Sequence, residues 1–235
     1  ERGSASTENV HWLRLNNNSG KPIFIGSGQT FSGGRQDRIV TKDTVLLPLE
    51  RDQYIPVMCI EEGRWSEREK KFSYGEYANL HLRKVLDRSR NQVLVWKEIL
   101  SQLDSALIHS PTFAYNALKQ HKPVQLYEPA CLTYFMDRFK NSDSSICGFV
   151  AVSGYKVIGS DVFAGTALFY NELEPLLKGY IMEGLMHGSA PVLSKADIKL
   201  YVDNVYASEQ VQEDYCRKKG KIFRTNNTVI HVTSY

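Results

Sequence analysis

The sequence has no hydrophobic run long enough to cross a membrane. A spanning helix needs about 20 consecutive apolar residues, and the longest apolar runs here, such as Phe149 to Val152, are short enough for buried strands. We therefore expect no membrane span.

An excess of one charge is also lacking. Lys and Arg number 29 and Asp and Glu number 26, so the net charge is +3. Like charges form no long block, and the segment Glu67–Lys71 mixes both signs. This balance carries no strong nucleic-acid signal.

Cysteine is scarce and widely spaced. The four residues Cys59, Cys131, Cys147 and Cys216 form no C-x-x-C, which excludes a zinc ribbon or a thioredoxin-like motif. Two disulfides remain arithmetically open, but the spacing favours four free thiols that fill the core. The start at Glu1 without Met leaves open whether an upstream segment was removed, so both a cytoplasmic location and export after such removal stay open.

Motifs for metal ligation and serine hydrolysis are absent as well. The six histidines form no H-E-x-x-H pair, and no G-x-S-x-G elbow occurs. We predict no metal site and no cofactor.

The order of strand-like and helical patterns predicts an α+β fold. Short apolar segments at 10–15, 21–25, 44–49 and 54–60 indicate strands, with Pro48 and Pro56 confining the last two to an edge or a bulge. A central hairpin pairs 146–152 with 156–158, and two short strands flank Asn226-Asn227. We expect an antiparallel or mixed sheet with several helices packed against it, in a single domain over 10–235 that follows a frayed segment 1–9.

Helical periodicity dominates between these strands. Asn91 is the expected N-cap of one helix, and Ser194 with Asp197 forms an expected capping box. Further helices are predicted at 111–120, at 132–139 and between 163 and 186, the last starting near Asn171 because Pro175 suits a first turn.

The segment from Gly26 to Arg38 is the most unusual in composition. Four glycines permit tight turns that leave backbone N–H groups open to a ligand, and neighbouring arginines and glutamines can fork onto a phosphate or carboxylate. It is neither a Walker A loop nor a Rossmann fingerprint. The candidate ligand-binding residues here are Gly33, Gly34, Arg35, Gln36 and Arg38. The alternative is a glycine-rich hairpin with solvated charges.

A second polar unit follows the apolar segment 54–60. Arg64 and Trp65 suit the binding and stacking of a planar anion, and Gln92 at a helix start is a further candidate. Glu61 and Glu62 are candidates for general acid–base catalysis. The alternative is an ordinary turn with an Arg–Glu pair and a tryptophan anchored in the core.

Asp161, in Gly159-Ser160-Asp161-Val162-Phe163, is a third catalytic candidate. Its more ordinary interpretation is an N-cap for the helix that follows.

Several motifs in order resemble the ARPP family, the ARG and rhodanese-phosphatase-superfamily-associated protein domain of uncharacterised bacterial proteins. They are Gly26…Gly33-Gly34-Arg35-Gln36-Asp37-Arg38, the stretch from Ile55 to Trp65, Gln92…Val95-Trp96, Gly148 to Lys156, and Ser160-Asp161-Val162-Phe163. The resemblance runs from about residue 10 to 185, and the tail after His187 carries no recognised family motif.

What the resemblance implies is limited. The family name records association with ADP-ribosylglycohydrolase-like and phosphatase-like domains, which suggests nucleotide- or ADP-ribose-derived ligands. The hypothesis is therefore a binding site for a small anionic ligand, with hydrolysis conceivable at Glu61, Glu62 or Asp161. The alternative is a non-catalytic structural or interaction module whose Arg–Glu–Gln cluster is a buried polar network. An open pocket around Arg35, Arg64 and Gln92 would favour the first, and a paired and sealed cluster the second.

Overall fold

The computed structural model describes residues 10–66 and 71–235. The segment 1–9 and most of the mixed-sign segment 67–71 lie outside the described residues. The strands are β1 (Trp12–Leu15), β2 (Ile23–Ile25), β3 (Gln29–Gly33), β4 (Arg38–Val40), β5 (Thr44–Leu46), β6 (Gln53–Cys59), β7 (Phe72–Tyr77), β8 (Gly148–Ser153), β9 (Lys156–Phe163), β10 (Gly220–Thr225) and β11 (Thr228–Ser234). The helices are α1 (Leu80–Ser89), α2 (Gln92–Ser105), α3 (Lys122–Lys140), α4 (Thr166–His187), α5 (Lys195–Tyr206) and α6 (Glu209–Lys219), with a 3-10 helix at Tyr115–Gln120.

The described strands form antiparallel sheets. One sheet has the order β1-β6-β4-β3-β7, a second has the order β10-β11-β9-β8, and β2 pairs with β5. The α+β class is thus confirmed. The N-terminal strands and the central hairpin belong to different sheets.

Strand β6 shows how a proline is accommodated inside the first sheet. Its buried residues Ile55, Val57 and Cys59 alternate along one face. Residues 53–56 pair with β1 and residues 57–59 pair with β4, so Pro56 lies where pairing changes from one neighbour to the other. Among the described strands, Pro56 therefore has a ladder partner on one side only, although β6 as a whole lies between β1 and β4.

The locally encoded helix starts are confirmed. The Asn91 side chain accepts hydrogen bonds from the backbone N–H groups of Val93 and Leu94. Ser194 and Asp197 form the reciprocal capping box. In both cases a short polar side chain satisfies N–H groups that have no partner within the helix.

Three helix predictions are corrected. Helix α4 begins at Thr166 and contains Pro175 in its interior, because Phe169 and Leu173 upstream of the proline are fully buried. The segment 111–120 forms only the 3-10 helix, and the predicted helix 132–139 is the second half of the longer α3. Packing of apolar side chains outweighs the local cost of a helix-interior proline in α4.

One buried cluster joins side chains from both ends of the chain. Phe24 and Tyr77 pack with Phe163, Phe169 and Tyr235 in it. At Gly179, helix α4 lies close to the backbone at the end of β7, a strand of the first sheet. The same helix also contacts β8 and β9 of the second sheet.

Candidate functional site

Arg64 is buried among carboxylates and carbonyl groups. Its guanidinium lies 2.7 Å from Glu61 Oε2 and 3.2 Å from Asp37 Oδ1, and it donates to the carbonyl oxygens of Gly34 at 2.6 Å and Ser66 at 2.9 Å. Arg64 is 7% exposed and Glu61 is 0% exposed. The guanidinium is therefore held on several sides by its own chain.

The two carboxylates beside Arg64 have further donors. Asp37 accepts from the N–H of Gly33 at 3.0 Å and from Asn116 Nδ2 at 2.7 Å. Glu61 accepts from the hydroxyl of Thr112 at 2.8 Å. Burial opposes ionisation of Glu61, but the hydrogen bonds from Arg64 and Thr112 lower its pKa.

Gly33 and Gly34 adopt the positive φ angles that glycine favours, 128° and 50°. The turn they make directs the Gly34 carbonyl at Arg64 and the Gly33 N–H at Asp37. The expectation was that these glycines leave backbone N–H groups open to a ligand; the Gly33 N–H and the Gly34 carbonyl instead meet Asp37 and Arg64 of the protein itself.

Gln36, Arg38 and Gln92 meet around Cys59. Arg38 Nη1 donates to Gln36 Oε1 at 3.1 Å and contacts the Cys59 sulfur. Gln92 Oε1 accepts from the Cys59 N–H at 2.8 Å, and its Nε2 donates to the Cys59 carbonyl at 2.7 Å. Gln92 thus completes the backbone pairing of β6 from the first turn of α2.

Arg35, Trp65 and Glu62 lie nearer the surface. The Arg35 guanidinium carbon lies 5.6 Å from the centre of the Trp65 ring, and Trp65 is 55% exposed. The side chain of Glu62 is exposed, and its carbonyl accepts from Gln36 Nε2 at 3.2 Å. The predicted residues are thus neighbours in space, with their interior part densely paired.

Asp161 lies in β9 and makes no helix cap, because the cap of α4 is Gly165. Its carboxylate accepts two hydrogen bonds from Arg83, at 3.1 and 2.8 Å, and one from Tyr180 at 2.6 Å. Both Arg83 and Asp161 are almost fully buried. Burial opposes ionisation of Asp161, but Arg83 and His231 lower its pKa strongly.

His231 extends this cluster to a second carboxylate. Its Nε2 lies 3.0 Å from Asp161 Oδ1 and its Nδ1 lies 2.8 Å from Asp43 Oδ2. Burial lowers the pKa of His231, but the two carboxylates outweigh it and raise the pKa above its ordinary value. The pKa of Asp43 falls to about 2 despite burial, because Lys221 and His231 favour the carboxylate.

A polar cavity of about 450 Å³ opens between α1, α4 and the turn of the β8–β9 hairpin. Four ionisable groups on its wall come from the two helices: His81 and Lys84 from α1, and Glu183 and His187 from α4. Lys156 enters from the hairpin. His81 and Lys84 are three residues apart and Glu183 and His187 are four apart, so the two side chains of each helix lie on the same helix face.

Both carboxylate oxygens of Glu183 are hydrogen-bonded to His81. The His81 ring nitrogen lies 2.6 Å from Glu183 Oε1, and its backbone N–H donates to Oε2 at 3.1 Å. The hydrogen bond that the His81 ring donates to Glu183 raises the pKa of His81. Burial lowers the pKa of His187, whose ring centre lies 4.5 Å from that of His81.

The two lysines of the cavity have no such partner. Among the described residues, no carboxylate lies within ion-pair distance of Lys84 or Lys156. Burial lowers the pKa of Lys84; Glu183 acts in the opposite sense, and Arg88 and Lys156 lower the pKa further. The cavity therefore contains positive charge that the protein leaves largely uncompensated.

Sequence reasoning missed this cavity. The motif Glu183-x-x-x-His187 on a helix was the available signal, but its partners on α1 lie about a hundred positions away. Only the packing of α4 against α1 brings them together.

Within 10–66 and 71–235, no group of three or more His, Cys, Asp or Glu side chains is arranged to hold a metal ion. The four cysteines all lie in this part of the chain and are free thiols, as their spacing indicated. No helix of the described residues is both long and apolar enough to span a bilayer.

These features define an α+β protein with antiparallel sheets, two buried Arg–carboxylate clusters and an open cationic cavity. The chain belongs to the family of the ARG and Rhodanese-Phosphatase-superfamily-associated Protein domain, whose model matches residues 3–234. The resemblance found in the motifs is thus confirmed, and it extends through the tail after His187. No curated protein sequence and no solved structure matches the chain.

Proposed function

We propose that this domain binds a small anionic molecule in the polar cavity between α1, α4 and the β8–β9 turn. The observation that carries the proposal is the pair Lys84 and Lys156, two lysines at an open cavity of about 450 Å³ without carboxylate partners among the described residues. A volume of this size falls in the range of small-molecule sites, roughly 300–1,000 Å³.

The physical argument concerns charge. Placing cations together in a partly desolvated cavity is unfavourable, and the lowered pKa of Lys84 expresses that cost. An anion between the two ammonium groups would relieve their repulsion and form charge-assisted hydrogen bonds with them. Glu183 offsets only part of this charge: it raises the pKa of Lys84, but its carboxylate is hydrogen-bonded to His81 and forms no ion pair with either lysine.

The exposed part of the sequence-predicted site is the second candidate. Arg35 and Trp65 offer a cation and a half-exposed ring, which would suit a planar nucleotide-derived anion. The family name records an association with ARG and the rhodanese-phosphatase superfamily. If ARG denotes ADP-ribosylglycohydrolase-like domains, ADP-ribose is a reasonable probe for both locations.

Hydrolysis is less well supported than binding. A general acid or base must come within hydrogen-bond reach of its substrate. Glu61 and Asp161 are both 0% exposed and bonded to arginines. For Glu61, Arg64 and Gln36, the alternative of a buried polar network has the better geometric support.

Calorimetric titration with inorganic phosphate, AMP and ADP-ribose tests the proposal. We compare the unaltered protein with Lys156→Gln and with Lys199→Gln, since Lys199 is an exposed lysine that does not line the cavity. We expect one anion to bind, and affinity to fall about tenfold or more in Lys156→Gln, the loss of one charge-assisted contact. Lys199→Gln should bind normally.

Two outcomes would count against this location. Equal affinity in both lysine variants, with binding lost in Trp65→Ala, would move the site to Arg35 and Trp65. Absence of any anion binding to the unaltered protein at low salt would instead support the structural alternative.

A further inference from the structure

An apolar cavity of about 600 Å³ lies next to the polar one. It is bounded by the second half of α3, by β8 and by the C-terminal half of α4. Its wall is mostly hydrocarbon and aromatic and includes Phe135, Phe139 and Phe149. Water is poorly stabilised in such a cavity, because a buried water molecule needs several hydrogen-bond partners.

The two cavities share part of their wall. Ser153, Ile158, Gly188 and Ser189 line both. The only hydroxyl side chains of the apolar wall besides Tyr180 are the two serines at this junction, and Ser153 Oγ accepts from the Ser189 N–H at 2.9 Å. Polarity thus changes from cationic to apolar across one short boundary.

We propose that the two cavities together accommodate an amphipathic anion, an acidic head group attached to a flexible hydrocarbon chain. This inference rests on the proposed function, since the head group is the anion held by Lys84 and Lys156. The chain extends past the two serines and lies against the phenylalanines of α3 and β8.

Charge complementarity decides between this occupant and others. A second copy of the protein, or an apolar peptide segment, would use the apolar cavity but would give no role to the lysines at its border. A purely polar anion would leave the phenylalanine-lined cavity empty. An amphipathic anion is the one occupant that uses both walls in the order in which they meet.

Chain length provides the test. We titrate the protein by calorimetry with acetate, octanoate, dodecanoate and the uncharged dodecan-1-ol. The two longer carboxylates are kept below their micelle concentrations and the alcohol below its solubility. Each methylene group that enters an apolar cavity should raise affinity up to about fourfold. We therefore expect acetate to bind weakly, dodecanoate much more tightly than octanoate, and dodecan-1-ol more weakly than dodecanoate.

Two variants locate the chain and the head group. Gly184 lines the apolar cavity, and a Cβ added there would meet nothing within 4 Å, so Gly184→Phe can place a ring in the cavity without a backbone clash. It should remove the dependence on chain length, and Gly184→Ala, which adds only a methyl group, should largely retain it. Lys156→Gln should weaken dodecanoate binding and leave dodecan-1-ol unchanged.

The outcomes separate this inference from the proposed function. Phosphate or acetate bound with no gain from octanoate to dodecanoate would overturn the inference and leave anion binding intact. Binding of dodecan-1-ol as tight as that of dodecanoate would overturn the amphipathic anion. Lack of binding by every anion would remove the proposed function itself. A concentration-dependent dimer in sedimentation, abolished by Gly184→Phe and unaffected by dodecanoate, would identify a second copy as the occupant.

Discussion

Arg83 and Asp161 form a bidentate ion pair in the protein interior, with nitrogen–oxygen distances of 3.1 and 2.8 Å. The two residues are 78 positions apart in the sequence. The side chains are 1% and 0% exposed. Arg83 comes from α1 and Asp161 from β9, so the pair fixes the first helix to the second sheet. Because an arginine keeps its charge at ordinary pH, the two groups depend on each other in the folded state.

Removing the carboxylate should therefore destabilise the protein strongly. We expect Asp161→Asn to lower the free energy of unfolding by about 3–5 kcal/mol, because it leaves the guanidinium buried without a counter-charge. Asp203→Asn is the matched control, since its ion pair with Lys199 is exposed and should contribute under about 1 kcal/mol. Urea denaturation measures both.

The double variant Arg83→Met with Asp161→Leu sharpens this prediction. The double variant removes both charges. Its loss of stability should therefore be smaller than the sum of the losses in the single variants Arg83→Met and Asp161→Leu. A loss in Asp161→Asn no larger than that in Asp203→Asn would show that the buried pair contributes nothing.

Arg64 allows a structural role to be separated from a binding role. We expect Arg64→Ala to cost about 3–5 kcal/mol of stability, because it strands the carboxylates of Glu61 and Asp37 in the interior. Anion affinity at the polar cavity should stay unchanged. Arg14→Ala is the control, since Arg14 pairs with Asp52 at the surface. A stable Arg64→Ala protein that has lost anion binding would return the site to the Gly33–Arg38 segment.

The His231 cluster predicts how stability depends on pH. His231 has a folded-state pKa above 6.5, so its contribution is complete below pH 6.5 and is lost as pH rises through the folded-state value. Asp43 acts oppositely: its contribution is present above pH 3.8 and is lost as pH falls toward about 2. We expect unfolding by urea to become easier as pH rises from 6 toward 9.

His231→Gln tests the assignment of that dependence. The charged groups that face His231 are Asp43 and Asp161, with Lys221 3.8 Å from Asp43. The variant should be less stable at pH 6 and should lose part of the decline toward pH 9, whereas His81→Gln should leave the His231 contribution in place. NMR titration of the imidazole gives the pKa directly, and a value at or below 6.5 would refute the prediction.

Features encoded over a few residues could be predicted from the sequence. Asn91 and Ser194 cap helices because the side chain meets N–H groups two or three residues ahead. The hairpin at Asn226-Asn227 follows from the positive φ angles that asparagine tolerates. The pairing of Arg64 with Glu61 spans three residues and was visible as an alternative interpretation.

Features that depend on distant packing could not be predicted in this way. Asp161 was interpreted as a helix cap because it stands shortly before a helix. Its actual partners Arg83 and His231 lie 78 and 70 positions away, so nothing in the local sequence indicated them. Helix α6 was not anticipated, since it is mostly charged and only Cys216 on it is buried. The cationic cavity needs α1, α4 and the β8–β9 turn to meet, which no local pattern expresses.

Helix α4 offers a paired test of its close approach to the first sheet. A Cβ at Gly179 would lie 2.7 Å from the carbonyl oxygen of Ala78 and 2.8 Å from that of Tyr77, whereas a Cβ at Gly184 would meet nothing within 4 Å. Both substitutions to alanine gain the same helix propensity, up to about 1 kcal/mol. Only Gly179→Ala must push the helix away from backbone atoms that cannot rotate aside.

We therefore expect opposite signs from the same chemical change. Gly184→Ala should stabilise the protein by about 0.5–1 kcal/mol. Gly179→Ala should destabilise it, since overpacking costs about 1–3 kcal/mol and exceeds the gain in propensity. Urea denaturation of both variants at one pH measures the difference, from which the shared propensity cancels. Equal stabilisation by both alanines would mean that α4 does not lie against Ala78 and Tyr77 as closely as described, and that the wall of the polar cavity formed by α4 is less fixed than the binding proposal requires.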